Sequence, residues 1–241
     1  MTDFLKISDD LTKRLELVYL PVGINLYRDQ DALPEDIPFA EEKMKSYCQA
    51  VASAGKGRAM LLEKTKLGCT LGTSVLGFEE MAEDFLEDGV TEKYGAGLFA
   101  TEKAAAETML KSTYLPSGQT KAAYIAPLSA FRETPQVVVF SANSEQIMWL
   151  LYAANFESGG AFSLYQSGGA LGGCSDITAW PILKGKPNVT FLGLGCRMKS
   201  ELDACHLMMG IPGLMLAGIH TNILSMTMPI AMLRKALSKK D

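Results

Sequence analysis

Cys48, Cys69, Cys174 and Cys196 are the residues in this sequence with the most chemistry to offer. Three of the four are flanked by glycine, in Gly68-Cys69-Thr70-Leu71-Gly72, Gly172-Gly173-Cys174 and Gly195-Cys196-Arg197. Glycine lets backbone approach a ligand more closely than a Cβ permits. A thiolate is a soft donor, and four of them complete either a structural zinc site or an iron–sulfur cluster. The chain contains no C-x-x-C, so the spacing is not that of a compact metal motif. What separates three of these four cysteines from inert core thiols is their expected position at loop and strand ends rather than inside apolar runs. Four small buried hydrophobes remain the alternative. Arg197, directly after Cys196, is placed either to balance an anionic cluster or substrate or to face solvent.

Other constellations are weaker. Cys205 shares a helical face with Leu202 and Met209 and is expected to pack in the core. His206 and His220 are the only histidines, and neither belongs to an H-E-x-x-H or H-x-x-E-H pattern. Each reads as a hydrogen-bonded core residue, although His220 against Cys174 or Cys196 would make a nucleophilic pair. Ala54-Gly55-Lys56-Gly57 lacks the spacing and hydroxyl of a P-loop, and Gly193-Leu194-Gly195 lacks the third glycine of a dinucleotide fingerprint. Met208, Met209, Met215, Met226, Met228 and Met232 read as core filling, or as the lining of a pliable ligand pocket.

With 241 residues and 48% hydrophobic content, the chain can bury a full-sized core. The net charge is −4, and no Lys/Arg stripe with interleaved aromatics is present, which argues against nucleic acid as a partner. Residues 1–11 carry three acidic residues and no apolar run, unlike a secretory signal. The apolar stretch 207–232 is interrupted by Pro212, His220, Asn222 and Pro229, and is expected to be a buried helix pair rather than a membrane span. A cytoplasmic, reducing setting is therefore expected, in which the cysteines are free thiols or metal ligands.

The elements that must position the thiols follow from periodicity. An amphipathic helix over 3–17 precedes a strand within 17–27, where Pro21 is expected to mark an edge or a bulge. After a loop over 28–35, Pro38 opens a helix that carries Met44, Tyr47, Cys48 and Val51 on one face and ends at Gly55 and Gly57. A short strand over 58–64 leads to Cys69. Helices are expected at 79–87 and 101–111, with a turn at 94–97 between them. Strands follow at 121–128 and 136–140, and Asn143 with Gln146 forms a capping-box-like start for the next helix. Short strands at 161–165 and 189–194 bracket Cys174, the second delivering Cys196 at its end. A helix over 200–209 and about two more, divided by Pro212 and Pro229, complete the chain. Strands and helices without strict βαβ alternation point to a single α+β domain over 1–241, with a mixed or antiparallel sheet packed with helices.

An ordered set of motifs adds to this reading: Pro21-Val22-Gly23, Cys48-Gln49-Ala50, Cys69 with Gly72 and Gly77-Phe78, Ala126-Pro127-Leu128, Pro135 before Val137-Val138-Val139-Phe140, Glu145-Gln146, Cys174, Gly185-Lys186-Pro187-Asn188 and Gly195-Cys196-Arg197. Together they resemble the archaeal-conserved-region (ArCR) family, a domain of unknown function from archaea and anaerobic bacteria. The resemblance implies one domain and supplies no reaction. Cys48, Cys69, Cys174 and Cys196 each fall within a motif that carries it, and Cys205 does not. The expectation is that these four bind one [4Fe–4S] cluster, with Arg197 balancing its charge and with zinc as the alternative metal. Such a centre would serve electron transfer or redox chemistry on a small metabolite, with a small molecule or a redox protein as partner. The other readings are a non-redox binding module for a hydrophobic cofactor or partner protein, and a thiol-dependent enzyme.

Overall fold

The computed structural model describes residues 2–34, 37–81, 97–168 and 171–237. Among them, the strands β1 (Val22–Tyr27), β2 (Met60–Glu63), β3 (Ala122–Pro127), β4 (Val137–Ala142), β5 (Asn188–Thr190) and β6 (Leu207–Pro212) form one sheet in the order β2-β3-β1-β4-β6-β5. Every strand pair in it is antiparallel. The fold is α+β.

Alternation of side chains along the strands divides the core in two. Val22, Ile24 and Leu26 of β1, Ala123 and Ile125 of β3, Val137 and Val139 of β4 and Met208 of β6 point to one face. Tyr124, Val138, Phe140, Met209 and Ile211 point to the other. Helices α1 (Phe4–Leu15), α5 (Ser144–Ala154) and α8 (Leu216–Ser225) cover the second face through Leu11, Leu150 and Ile219, joined by Ile230 of α9 (Thr227–Leu237). The first face is covered by shorter pieces: α2 (Tyr47–Gly55), α3 (Thr70–Val75), α4 (Glu102–Leu110), α7 (Leu194–Ser200) and a π-helical segment, Gly172–Ala179, that continues into α6 (Trp180–Lys184). The helix starts follow local chemistry. Asp3 accepts a hydrogen bond from the Lys6 N–H at α1, Thr101 caps α4, and Asn143 and Gln146 complete a reciprocal capping box at α5.

Several expected elements differ. The helix expected over 200–209 does not form: residues 201–206 are neither helix nor strand, and from Leu207 the chain enters β6. Both of its faces are buried between core layers, so its apolar run lacks the alternation that marks a half-exposed strand. Gly210 in β6 lies against the Ile177 carbonyl, where a Cβ would collide, and this is how the π-helical segment reaches the sheet. Pro38 opens no helix: residues 39 and 44 make isolated parallel bridges to Leu61 and Leu67, and α2 begins only after the Ser46 cap. Pro21 precedes a central strand rather than marking an edge. No strand forms at 161–165, because the Asn188 side chain takes both the N–H and the carbonyl of Tyr165 in place of ladder bonds. The helix expected at 79–87 and the turn at 94–97 fall mostly outside the described residues. Among the described residues no single helix is long and apolar enough to cross a membrane; α8 and α9 pass by length and composition only as a pair bent by 60°.

Candidate functional site

Each of the four motif cysteines stands at the start of a helical segment. Ser46 caps α2 by accepting from the Gln49 N–H at 3.1 Å, which puts Cys48 in the first turn. Cys69 is the N-cap residue of α3, Cys174 the third residue of the π-helical segment, and Cys196 the third residue of α7. Free peptide N–H groups at helix starts favour negative charge on sulfur. Here the peptide N–H groups of Gly173 and Gly193 favour the ionised form of Cys196, and that of Ser175 favours the ionised form of Cys174.

The four segments converge. Cys48, Cys69, Cys174 and Cys196 line one cavity of about 50 Å³, together with Tyr47 and Lys199. The Cys48 and Cys196 sulfurs are 2.7 Å apart although 148 residues separate them in sequence. Gly173 sits against this pair, and a Cβ there would collide with Cys48 Sγ. The Tyr47 hydroxyl, 2.8 Å from Thr178 Oγ1, fixes α2 to the π-helical segment.

Electrostatics tie the thiols into one unit. The Cys48 thiol donates to Cys196, so its pKa is pushed well up by that bond, by burial and by the other sulfurs. Cys196 accepts that bond, which with the peptide N–H groups of Gly173 and Gly193 holds its pKa down, to about 7. Cys174 is pushed up by burial, then by Cys196 and Cys69. Within the contacting pair, therefore, Cys48 is the donor, and Cys196 is the thiol whose ionised form its surroundings favour.

A buried polar network holds the π-helical segment in place. Asp176, fully buried, accepts from the Ser167 N–H at 3.0 Å and from Thr190 Oγ1 at 3.1 Å. Burial raises its carboxyl to about 6 despite those bonds. Asn188 Nδ2 donates to the Asp176 carbonyl at 2.8 Å, so β5 is stitched to the segment that bears Cys174.

The sequence model of the Uncharacterised ArCR family matches residues 10–239. The chain belongs to this family. Its function is undetermined, and no curated protein and no solved structure matches the chain.

The remaining candidate residues of this ArCR chain stand elsewhere. Arg197, expected to act as a charge partner, directs its guanidinium to the Phe191, Asp203 and Ala204 carbonyls, at 2.9 to 3.3 Å, and does not line the cavity. Lys199 lines it instead. It lies three residues after Cys196 in α7 and so on the same helical face, a spacing that would have flagged it from sequence had α7 been recognised. Cys205, expected in the core, is exposed, because the helix that would have buried it is absent. His206 is buried edge-on against Tyr19, and its Nδ1 lies 3.5 Å from Asp203. His220 pairs with Asp10 at 2.8 Å on the opposite side of the sheet. Neither histidine lines the thiol cavity.

Among the described residues, no three Cys, His, Asp or Glu side chains already stand in the arrangement that grips a metal ion. For a single zinc ion the contacting pair stands too close. Tetrahedral zinc, with sulfurs at ~2.3 Å, separates them by roughly 3.8 Å, whereas Cys48 and Cys196 are 2.7 Å apart. The donor set suits a single thiophilic metal ion once this pair parts by about 1 Å. A [4Fe–4S] cluster, which holds its four cysteine sulfurs on four separate irons, requires the pair at 2.7 Å to part much further and the cavity of about 50 Å³ to widen.

Proposed function

We propose that Cys48, Cys69, Cys174 and Cys196 bind one [4Fe–4S] cluster that serves electron transfer or redox chemistry on a small metabolite. The observation that carries this reading is the convergence of four thiols, from four separate helical segments, on one cavity. Family membership among archaea and anaerobic bacteria favours iron–sulfur over zinc. When bound, such a cluster supplies one-electron transfer. The chain supplies the rest: four thiolates as ligands, peptide N–H groups toward Cys174 and Cys196, the Lys199 side chain at the cavity wall as counter-charge, and Gly173 as the surface that lets sulfur and backbone meet. The Tyr47–Thr178 bond and the Asp176 network keep the ligand-bearing segments in register.

Anaerobic purification with iron and sulfide analysis tests the reading. About four iron and four sulfide per chain, with a broad visible absorbance lost in air, is the expected result. A colourless protein holding one zinc, or no metal after anaerobic reconstitution, would overturn it.

A second reading rests on a different observation. On the other side of the sheet, an apolar groove of about 730 Å³ runs between α5, the loop after it and α9, lined by Met148, Tyr152, Phe156, Phe162, Met226 and Pro229. A binding module for a hydrophobic cofactor or partner would use this groove. In that case replacing the four cysteines by serine leaves the fold and the binding of an apolar fluorescent probe unchanged.

A further inference from the structure

We propose that Cys48 and Cys196 also form a reversible disulfide, closed by exchange with a low-molecular-weight disulfide, which dismantles the four-thiol set. The inference rests on the site above for its regulatory consequence, and on the contact between the two sulfurs for its chemistry. At 2.7 Å the sulfurs are closer than the ~3.5–4.0 Å at which non-bonded carbon atoms rest. They need to move by well under 1 Å to reach the ~2.05 Å of a disulfide bond. The two thiols sit on helices that pack against each other, α2 and α7, and both are free. Gly173 leaves the space beside both sulfurs clear: a Cβ there would collide with Cys48 Sγ and lie 3.7 Å from Cys196 Sγ.

Access sets the order of events. Cys196 is 7% exposed and follows the exposed Gly195, whereas Cys48 is 4% exposed. The Cys196 sulfur, its proton passing to solvent, attacks one sulfur of the small disulfide RSSR and expels RS⁻, which takes up a proton. Cys48 then attacks the Cys196 sulfur of the mixed disulfide, and its proton leaves with the second RSH. One S–S bond breaks and one forms. The protein pair loses two electrons and two protons, RSSR is reduced to two RSH, and no other oxidant takes part. Closure withdraws two of the four donors, leaving Cys69 and Cys174, too few to complete a four-thiolate site.

The test uses the full-length, metal-free protein, treated anaerobically with oxidised glutathione or with dithiothreitol, freed of the reagent, then unfolded and blocked with iodoacetamide in denaturant and digested without reduction. A Cys48–Cys196 linked peptide is expected after glutathione disulfide. Cys69, Cys174 and Cys205 should be alkylated in that sample, and all five cysteines after dithiothreitol. The Cys48→Ser variant, checked for native fold by circular dichroism, should retain one glutathione on Cys196. Five alkylated cysteines after oxidation, or a link that joins any other pair, would overturn the proposal. Iron and sulfide content are measured on separate, untreated protein, so the two readings fail separately. A cluster without the link removes only this proposal, and the link without a cluster removes only the iron–sulfur function.

Discussion

The two faces of the sheet are built on different terms. The face under α1, α5 and α8 is covered by helices of 12, 11 and 10 residues, whose buried side chains are largely aliphatic or aromatic. The cysteine face is covered by α2, α3, α4 and α7, of 9, 6, 9 and 7 residues, and by an eight-residue π-helical segment, with Ser175, Asp176, Thr178, Asn188 and Thr190 all fully buried on that side. Short helices bring more N-termini to one place, and buried polar groups must each find a partner or cost stability. One face is thus a cohesive layer of longer apolar helices, while the other builds a buried polar network and several helix starts into its apolar core to place four sulfurs together.

Substitutions on each face break this comparison if it is wrong. The largest loss is expected at Phe140, 1% exposed in the cohesive face: Phe140→Ala should lower unfolding free energy by about 3–5 kcal/mol, read by urea titration, with metal per folded chain unchanged. Gly173→Ala should cost about 1–3 kcal/mol from overpacking and, unlike Phe140→Ala, should also abolish metal binding, because its methyl group meets Cys48 Sγ. Asn143→Ala removes the α5 capping box and should cost about 1 kcal/mol, read by thermal melting, with the cysteine site untouched.

The smallest effect is a pH dependence on the cohesive face. Lys6 and then His220 hold the Asp10 carboxyl below its usual range near 3.8. Its ionised form is therefore favoured by folding, so its contribution is present above that range and is lost as pH falls through the lowered value. Asp10→Asn should lower the urea midpoint slightly at pH 7, and the two midpoints should coincide in strong acid.

Much of the cohesive face was legible in the sequence because its signals are local. The α1 periodicity, the Asn143–Gln146 box and the strand runs at Ala122–Pro127 and Val137–Ala142 each lie within a dozen residues. The cysteine face was legible only as a set of residues. Cys48, Cys69, Cys174 and Cys196 stood out by their motifs, but the helix starts that carry them did not. The π-helical segment has no periodic signature of its own, and it is held by Asp176 and Asn188, whose partners Ser167, Thr190 and Tyr165 lie 9 to 23 residues away. The error over Cys205 and β6 has the same origin. Leu207–Pro212 is buried on both sides by elements distant in sequence, so its apolar run fits a helix as well as a strand.

That the four thiols act as one ligand set is tested most directly by anaerobic reconstitution of single Cys→Ala variants, with iron and sulfide counted per chain. Loss of the full complement is predicted for Cys48→Ala, Cys69→Ala, Cys174→Ala and Cys196→Ala, with Cys205→Ala matching the unaltered protein. A full complement in any of the first four, or its loss in Cys205→Ala, would contradict the account.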